Sequence, residues 1–214
     1  MNEQQIQQLI TGVVTQLLLA GGQDDTDTVP VEVSARHVHL TQADVETLFG
    51  PGHTLTRKRD LSQPGQFLAE ERVSIVTAKG VFHNVAVLGP VRKSTQVELS
   101  LTDARTLGLK SPIRQSGDLR GCPGVCLLAG ERMIRVEECA MVAQNHIHMT
   151  PADAARYGVT DGQKVRVKLE TDRPITFDDV VIRVREDYAL AMHIDFDEAN
   201  ACAFQSGERG RLVR

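Results

Sequence analysis

Apolar positions along this chain follow two rhythms. Ile6, Leu9, Ile10, Val13, Val14, Leu17 and Leu18 recur at the i, i+3, i+4, i+7 spacing of one helical face. Residues 3–20 are therefore expected to form an amphipathic helix, with glutamines filling much of the opposite side. A polar, glycine-started linker follows over residues 21–28. A short apolar face on a tether can dock to another protein or pack back onto its own domain, and the pattern leaves both open.

From Val29 onward the rhythm shortens to two. Val31–Ser34, Arg72–Thr77, Val85–Leu88, Lys164–Glu170 and Asp179–Arg185 alternate or are rich in β-branched residues, with Gly and Pro between them. Short helices are expected between strands, at Gln42–Phe49, Asp103–Leu107, Pro151–Tyr157 and Glu198–Ala203. One local pattern explains their placement. It is written four times, at His37–Ala43, Glu98–Ala104, His146–Ala152 and His193–Ala199. Each copy opens on a possible metal ligand and has an apolar residue three positions on (Leu40, Leu101, Met149, Phe196). A cap-forming residue follows (Thr41, Thr102, Thr150, Asp197), then an alanine two positions later.

Thr41 to Asp44 and Thr150 to Asp153 read as capping boxes with Asp in place of Glu. Pro151 falls at the first helical position, where its missing N–H costs nothing. Each unit is thus a ligand-bearing strand, a tight turn and a short helix. Four units in two pairs imply a duplicated, mainly β protein of two related small barrels, residues 29–143 and 144–214. Residues 50–70 fit neither half and are read as an insertion that flaps over a pocket. Their cluster Arg57-Lys58-Arg59 suits a phosphorylated ligand.

Composition narrows the function classes. With 214 residues, 41% of them hydrophobic, the chain can bury a proper core. Its net charge of −4 offers no basic surplus for nucleic acid, and 4% aromatics without Trp give little for base stacking. No apolar run is long enough to span a bilayer. Cys122, Cys126, Cys139 and Cys202 form no CxxC and are expected to be reduced thiols.

Five of the seven histidines lie inside the repeated pattern. In His37-Val38-His39 and His146-Ile147-His148 the i, i+2 spacing on a strand puts both imidazoles on one face, about 7 Å apart along the chain. Glu98 and His193 occupy the first positions of the other two units. Two ligand sets result: His37, His39 and Glu98; and His146, His148 and His193. Three N/O donors with an open position suit catalytic zinc, and imidazole-rich sets favour zinc over iron or manganese. His53 and His83 lie outside the pattern and are expected at the surface. The stretch from Val87 to Glu98 contains a Gly89-Pro90 turn and then Arg92-Lys93-Ser94-Thr95. It gathers a cation, hydroxyls and backbone N–H groups suited to an oxyanion, and leads directly into Glu98.

Arg36–Leu40, Gly89–Glu98 and Asn145–Pro151 resemble the motifs of phosphate propanoyltransferases of the PduL type, the phosphotransacylases of bacterial microcompartments. The resemblance runs from about Val31 to Phe204, with the motifs in the family's order and every proposed metal ligand matched. It implies reversible transfer of an acyl group, propanoyl or acetyl, between coenzyme A and inorganic phosphate. It further implies two six-stranded β-barrels with short capping α-helices that exchange chain segments, the first strand near Val31 joining the second barrel. Two zinc ions would sit between the barrels, on the two sets named above. Arg92 would match the phosphate-binding arginine, and Ser34, Leu88 and Asn200 positions lining the coenzyme A site. The helix over residues 1–20 would be an encapsulation peptide docking to shell or core proteins of a cytoplasmic microcompartment for propanediol degradation. A homodimer is implied, with neither nucleic acid nor membrane as partner.

The expected chemistry is direct phosphate attack on the thioester, without an acyl-enzyme, because no cysteine lies in the metal pattern. Two other classes compete. A zinc-dependent thioester or phosphoester hydrolase would release CoA without phosphate, and a non-catalytic shell adaptor would release none.

Overall fold

The computed structural model describes residues 28–213. The helix expected over 3–20, and the linker up to Asp27, lie outside the described residues. The chain then forms β1 (Thr28–Ser34), β2 (His37–His39), α1 (Gln42–Phe49), β3 (Arg57–Asp60), β4 (Phe67–Val76), β5 (Val81–Gly89) and β6 (Gln96–Leu99). Next come α2 (Leu101–Thr106), β7 (Ile113–Arg114), β8 (Val125–Ala129), β9 (Arg132–Val136), β10 (Ala140–Ala143) and β11 (His146–Met149). It ends with α3 (Pro151–Tyr157), β12 (Lys164–Leu169), β13 (Ile175–Val184), β14 (Ala191–Asp195), α4 (Phe196–Ala201) and β15 (Arg209–Val213).

The protein is mainly β, with short helices, and its two sheets are copies of one plan. One is a closed barrel in the order β1-β14-β11-β13-β12-β15. The other is a nine-stranded sheet, β7-β10-β6-β2-β5-β4-β8-β9, with β3 on β4. Within it, β10-β6-β2-β5-β4-β8 repeats the barrel strand for strand. In each copy a His-x-His strand pairs parallel to one neighbour (β5 or β13) and antiparallel to the other (β6 or β14). The copies differ in closure. β1 joins β15 through a three-residue ladder, whereas β10 reaches the β8 side only where Cys139 and Ala140 N–H donate to the Pro123 carbonyl.

Segment exchange follows from the pairing. β1 precedes β2 in the chain but pairs with β14 and β15. β10 precedes β11 but pairs with β6 and β7. Counted by the repeat, β1 opens the first unit and β10 the second, so each sheet holds the opening strand of the other unit, the second unit beginning before residue 144, and each crossover ends at a His-x-His strand.

Alternation decides what that strand faces. Val38 and Leu40 are fully buried in one apolar cluster, with Val73, Ile75 and Leu127. Ile147 and Met149 are fully buried in the other, with Ile182 and Met192. His37, His39, His146 and His148 point away from those cores, into the space between the two copies.

The helix starts correct part of the sequence reading. Thr41 and Thr150 cap α1 and α3 as expected, but only Thr150 and Asp153 close a reciprocal box; Thr41 N–H donates to Thr95 Oγ1 instead of to Asp44. In the other two units the cap is Ser100 or Asp195, two residues before Thr102 and Asp197. Ser100 with Asp103, and Asp195 with Glu198, form reciprocal capping boxes, which satisfy two orphan N–H groups at once. A strand that supplies one ligand ends two residues sooner than one that supplies two. The displaced residues meet each other instead: Thr102 N–H donates to Asp197 Oδ2 at 2.8 Å.

Residues 50–70, read as one insertion, divide. Residues 61–66 line the cleft between the copies, but Phe67 and Ala69 are buried in the core at the start of β4. Two apolar residues at period two belong to the strand, not to a flap. All four cysteines are free thiols. No helix among the described residues is long and apolar enough to cross a membrane.

Candidate active site

The two predicted ligand sets assemble across adjacent strands. His37 lies opposite Glu98 in the β2–β6 ladder, and His146 opposite His193 in the β11–β14 ladder. His37 Nε2 is 3.5 Å from Glu98 Oε2, and His39 Nε2 is 3.6 Å from Glu98 Oε1. In the second set the ring centroids of His146 and His193 are 5.2 Å apart and those of His146 and His148 4.7 Å. In each set the three potential ligand atoms lie within 4.8 Å of one another.

Local bonds aim these rings. His37 Nδ1 donates to the Ala35 carbonyl at 2.8 Å, and His146 Nδ1 repeats this two residues back, to Gln144, at 2.8 Å. Both rings thereby present Nε2 to the cleft. His39 Nδ1 donates to the Leu88 carbonyl at 3.2 Å. The exchanged strand β1 places Glu32 opposite His193, its carboxylate 3.7 Å from His193 Nδ1. The equivalent position beside Glu98 is the apolar Met141. Each trio thus has one carboxylate: a member in the first set, a neighbour in the second.

The donor chemistry fits a divalent cation. His148 Nδ1, His148 Nε2 and His193 Nε2 are buried without a hydrogen-bond partner, and such groups are costly to leave unpaired. Burial pulls His39, His146 and His193 down to about 4. Burial, with the neighbouring imidazoles, pulls His148 to about 2. These rings are therefore neutral at neutral pH, with lone pairs available to a metal. Burial also pulls on His37, but the charge and hydrogen bond of Glu98 outweigh it and raise His37 above its ordinary value. Burial pushes Glu98 up, and the two imidazoles overcome that, holding its carboxyl well below the usual range.

Both sets line one cleft of about 1190 Å³. Arg92 faces it, anchored by its own N–H donating to the Leu40 carbonyl at 2.8 Å. Its Nη1 donates to Ser116 Oγ at 3.1 Å and stands 4.0 Å from Glu98 Oε1. Burial lowers the Arg92 pKa while Glu98 supports its charge. Gln96 Nε2 donates to Glu98 Oε1 at 2.5 Å and to Ser116 Oγ at 2.8 Å, and Ser116 donates to Glu98 at 3.3 Å. A cation, an amide and a hydroxyl are thus fixed around one carboxylate.

Ser34 and Leu88 line the same cleft. Asn200 does not; it is exposed on α4. Of the basic trio, Arg59 lines the cleft, while Arg57 pairs with Asp60 and Lys58 with Glu70 at 2.9 Å. His83 is exposed, and His53 is half-buried against Glu71 at 2.8 Å.

Sequence reasoning missed Gln96, Ser116, Gln63, Arg183 and Tyr188, all of which line the cleft. Gln96 was within reach, since it stands two residues before Glu98 on one strand and so shares its face. Ser116 and Gln63 sit in loops without periodicity. Tyr188 could have been flagged only as one of two tyrosines.

Comparison with known proteins places the chain in a family. The family model described as Phosphate propanoyltransferase matches residues 30–205. A phosphate propanoyltransferase of Listeria monocytogenes is 51% identical over 214 residues, covering 100% of this chain and 98% of the relative. One of Leptotrichia buccalis is 50% identical with 100% of both chains covered, and one of Thermotoga maritima 53% identical over 86% of this chain and 88% of its own. With the family model matched over most of the chain and about half of all residues identical across the full length, this chain belongs to the phosphate propanoyltransferase family.

Proposed function

We propose that the protein is a phosphate acyltransferase. It interconverts propanoyl-CoA or acetyl-CoA plus phosphate with the acyl phosphate plus CoA, by direct attack of phosphate on the thioester carbonyl. The observation that carries the reading is a single cleft faced by two imidazole-rich trios and by Arg92. Zinc held by His37, His39 and Glu98, and by His146, His148 and His193, would supply a Lewis acid for the carbonyl and the departing thiolate.

The chain's own residues supply positioning. Arg92 offers its guanidinium fork to phosphate, and Ser116 and Gln96 fix its angle. Arg59, Lys93, Arg183 and Arg185 surround the cleft with further positive charge for coenzyme A phosphates. Fixing both reactants gives the rate advantage of an effectively intramolecular step. Ser34 and Leu88, which line the cleft, and Asn200 are proposed to contact coenzyme A.

The test is CoA release from propanoyl- and acetyl-CoA, with and without phosphate and with and without a chelator. Release should require phosphate and stop on chelation. Release without phosphate would make the protein a hydrolase, and none under any condition an adaptor. The two acyl chains differ by one methylene, which a fitted pocket separates by about 1–3 kcal/mol. We further propose that residues 1–20 dock a homodimeric enzyme to shell or core proteins of a bacterial microcompartment. Deleting them should leave CoA release intact and abolish co-purification with those proteins.

A further inference from the structure

His148 is held differently from the other proposed ligands. Its counterpart in the duplication, His39, is aimed by a hydrogen bond to the Leu88 carbonyl. Strand register puts Arg183 at the place of Leu88, yet His148 makes no such bond and both its ring nitrogens are buried without a partner. What His148 has instead is Tyr188, stacked on it at 4.0 Å between centroids and 26° between planes.

Tyr188 is itself held from both copies of the duplication. The guanidinium carbons of Arg183 and Arg185 lie 6.0 and 5.1 Å from its ring centroid. The next residue, Ala189, is gripped by the buried side chain of Gln63, from the 61–66 turn of the first copy. Gln63 Nε2 donates to the Ala189 carbonyl at 3.0 Å, and its Oε1 accepts from Ala189 N–H at 3.2 Å. Gln63 is only 4% exposed, so the clamp is part of the packed structure rather than a surface contact.

We propose that Tyr188 is the positioning residue of the His146, His148 and His193 trio. Its ring fixes the imidazole plane of His148 by stacking, where the other copy uses a backbone carbonyl. Stacking restrains the ring without occupying either nitrogen, and so leaves both open for coordination. The turn carrying Gln63 links this restraint to the packing of the two copies, since residues of one copy hold the plate that orients a ligand of the other. The proposal rests on the reading of this trio as a metal site.

The test is metal affinity. The metal-free full-length chain is titrated with Zn²⁺ against a chromophoric chelator, and with Co²⁺ for its visible absorption. The wild type is expected to bind two ions. Tyr188→Phe keeps the ring and should bind both as the wild type does. Tyr188→Leu should weaken one site by about 10–100-fold, the range for losing a group that orients a ligand. It should alter the Co²⁺ spectrum of that site and leave the other site and the melting temperature unchanged. A Leu variant that binds both ions with wild-type affinity overturns the role of Tyr188. A His148→Ala variant that binds as many ions as the wild type, with the same affinities, overturns the trio itself.

Discussion

Acid should undo the metal-free protein in a way that the buried imidazoles set quantitatively. His39, His146 and His193 are drawn by burial to about 4, and His148 to about 2. An unfolded histidine titrates near 6.5. Between these values the unfolded chain binds protons that the folded chain refuses. The stability associated with the neutral rings is therefore present above pH 6.5 and lost as pH falls. For one such ring a drop from pH 7 to 5 costs about 2 kcal/mol, and for all four about 7 kcal/mol. His37 runs the other way: raised above its ordinary value, its contribution is intact below pH 6.5 and lost at higher pH. Glu98, held well below the usual carboxylate range, stays ionised across this window.

A loss of about 7 kcal/mol is comparable to the whole stability of a typical domain. For a chain of this size it corresponds to a fall in Tm on the order of 20 °C. The assay is thermal unfolding of chelator-treated protein at pH 7, 6 and 5, beside a His146→Gln/His148→Gln double variant. The double variant should lose about half of the slope. A wild-type Tm that moves by less than about 5 °C, or an unchanged slope in the double variant, would refute the reasoning.

Three substitutions test the site and its frame. Arg92→Ala should lower turnover by at least about 100-fold while the metal content measured by elemental analysis stays at the wild-type level; equal activity would remove the arginine from the mechanism. His148→Ala should cost both metal and turnover, and a full metal complement in that variant would count against the ligand assignment. Gly89→Ala should destabilise by about 1–3 kcal/mol in a urea titration, because an added Cβ would overlap the Phe67 ring. An unchanged midpoint would show that the Phe67 ring moves aside freely.

Local pattern carried a large share of this protein. The alternation around Val38 and Ile147 determined which side chains enter the cores, and so which histidines face the other way. The i, i+2 spacing of His37 with His39 and of His146 with His148 is enough to put each pair on one face of its strand. Thr41 and Thr150 marked two helix starts, since an N-cap bond is a contact within four residues. Repetition of the pattern extended the reading to Glu98 and His193.

Tertiary structure decided what depends on partners far along the chain. The true caps at Ser100 and Asp195 follow from where strands β6 and β14 stop, which their ladder partners set. Whether each copy closes depends on a few backbone bonds, at Pro123 in one and between β1 and β15 in the other. Ser116 beside Glu98, Gln63 on Ala189 and Tyr188 over His148 come from loops with no period to reveal them. Periodicity records which face a residue takes on its own strand or helix. Only packing determines which loop from elsewhere is brought against that face, and that is where the orientation of this site is set.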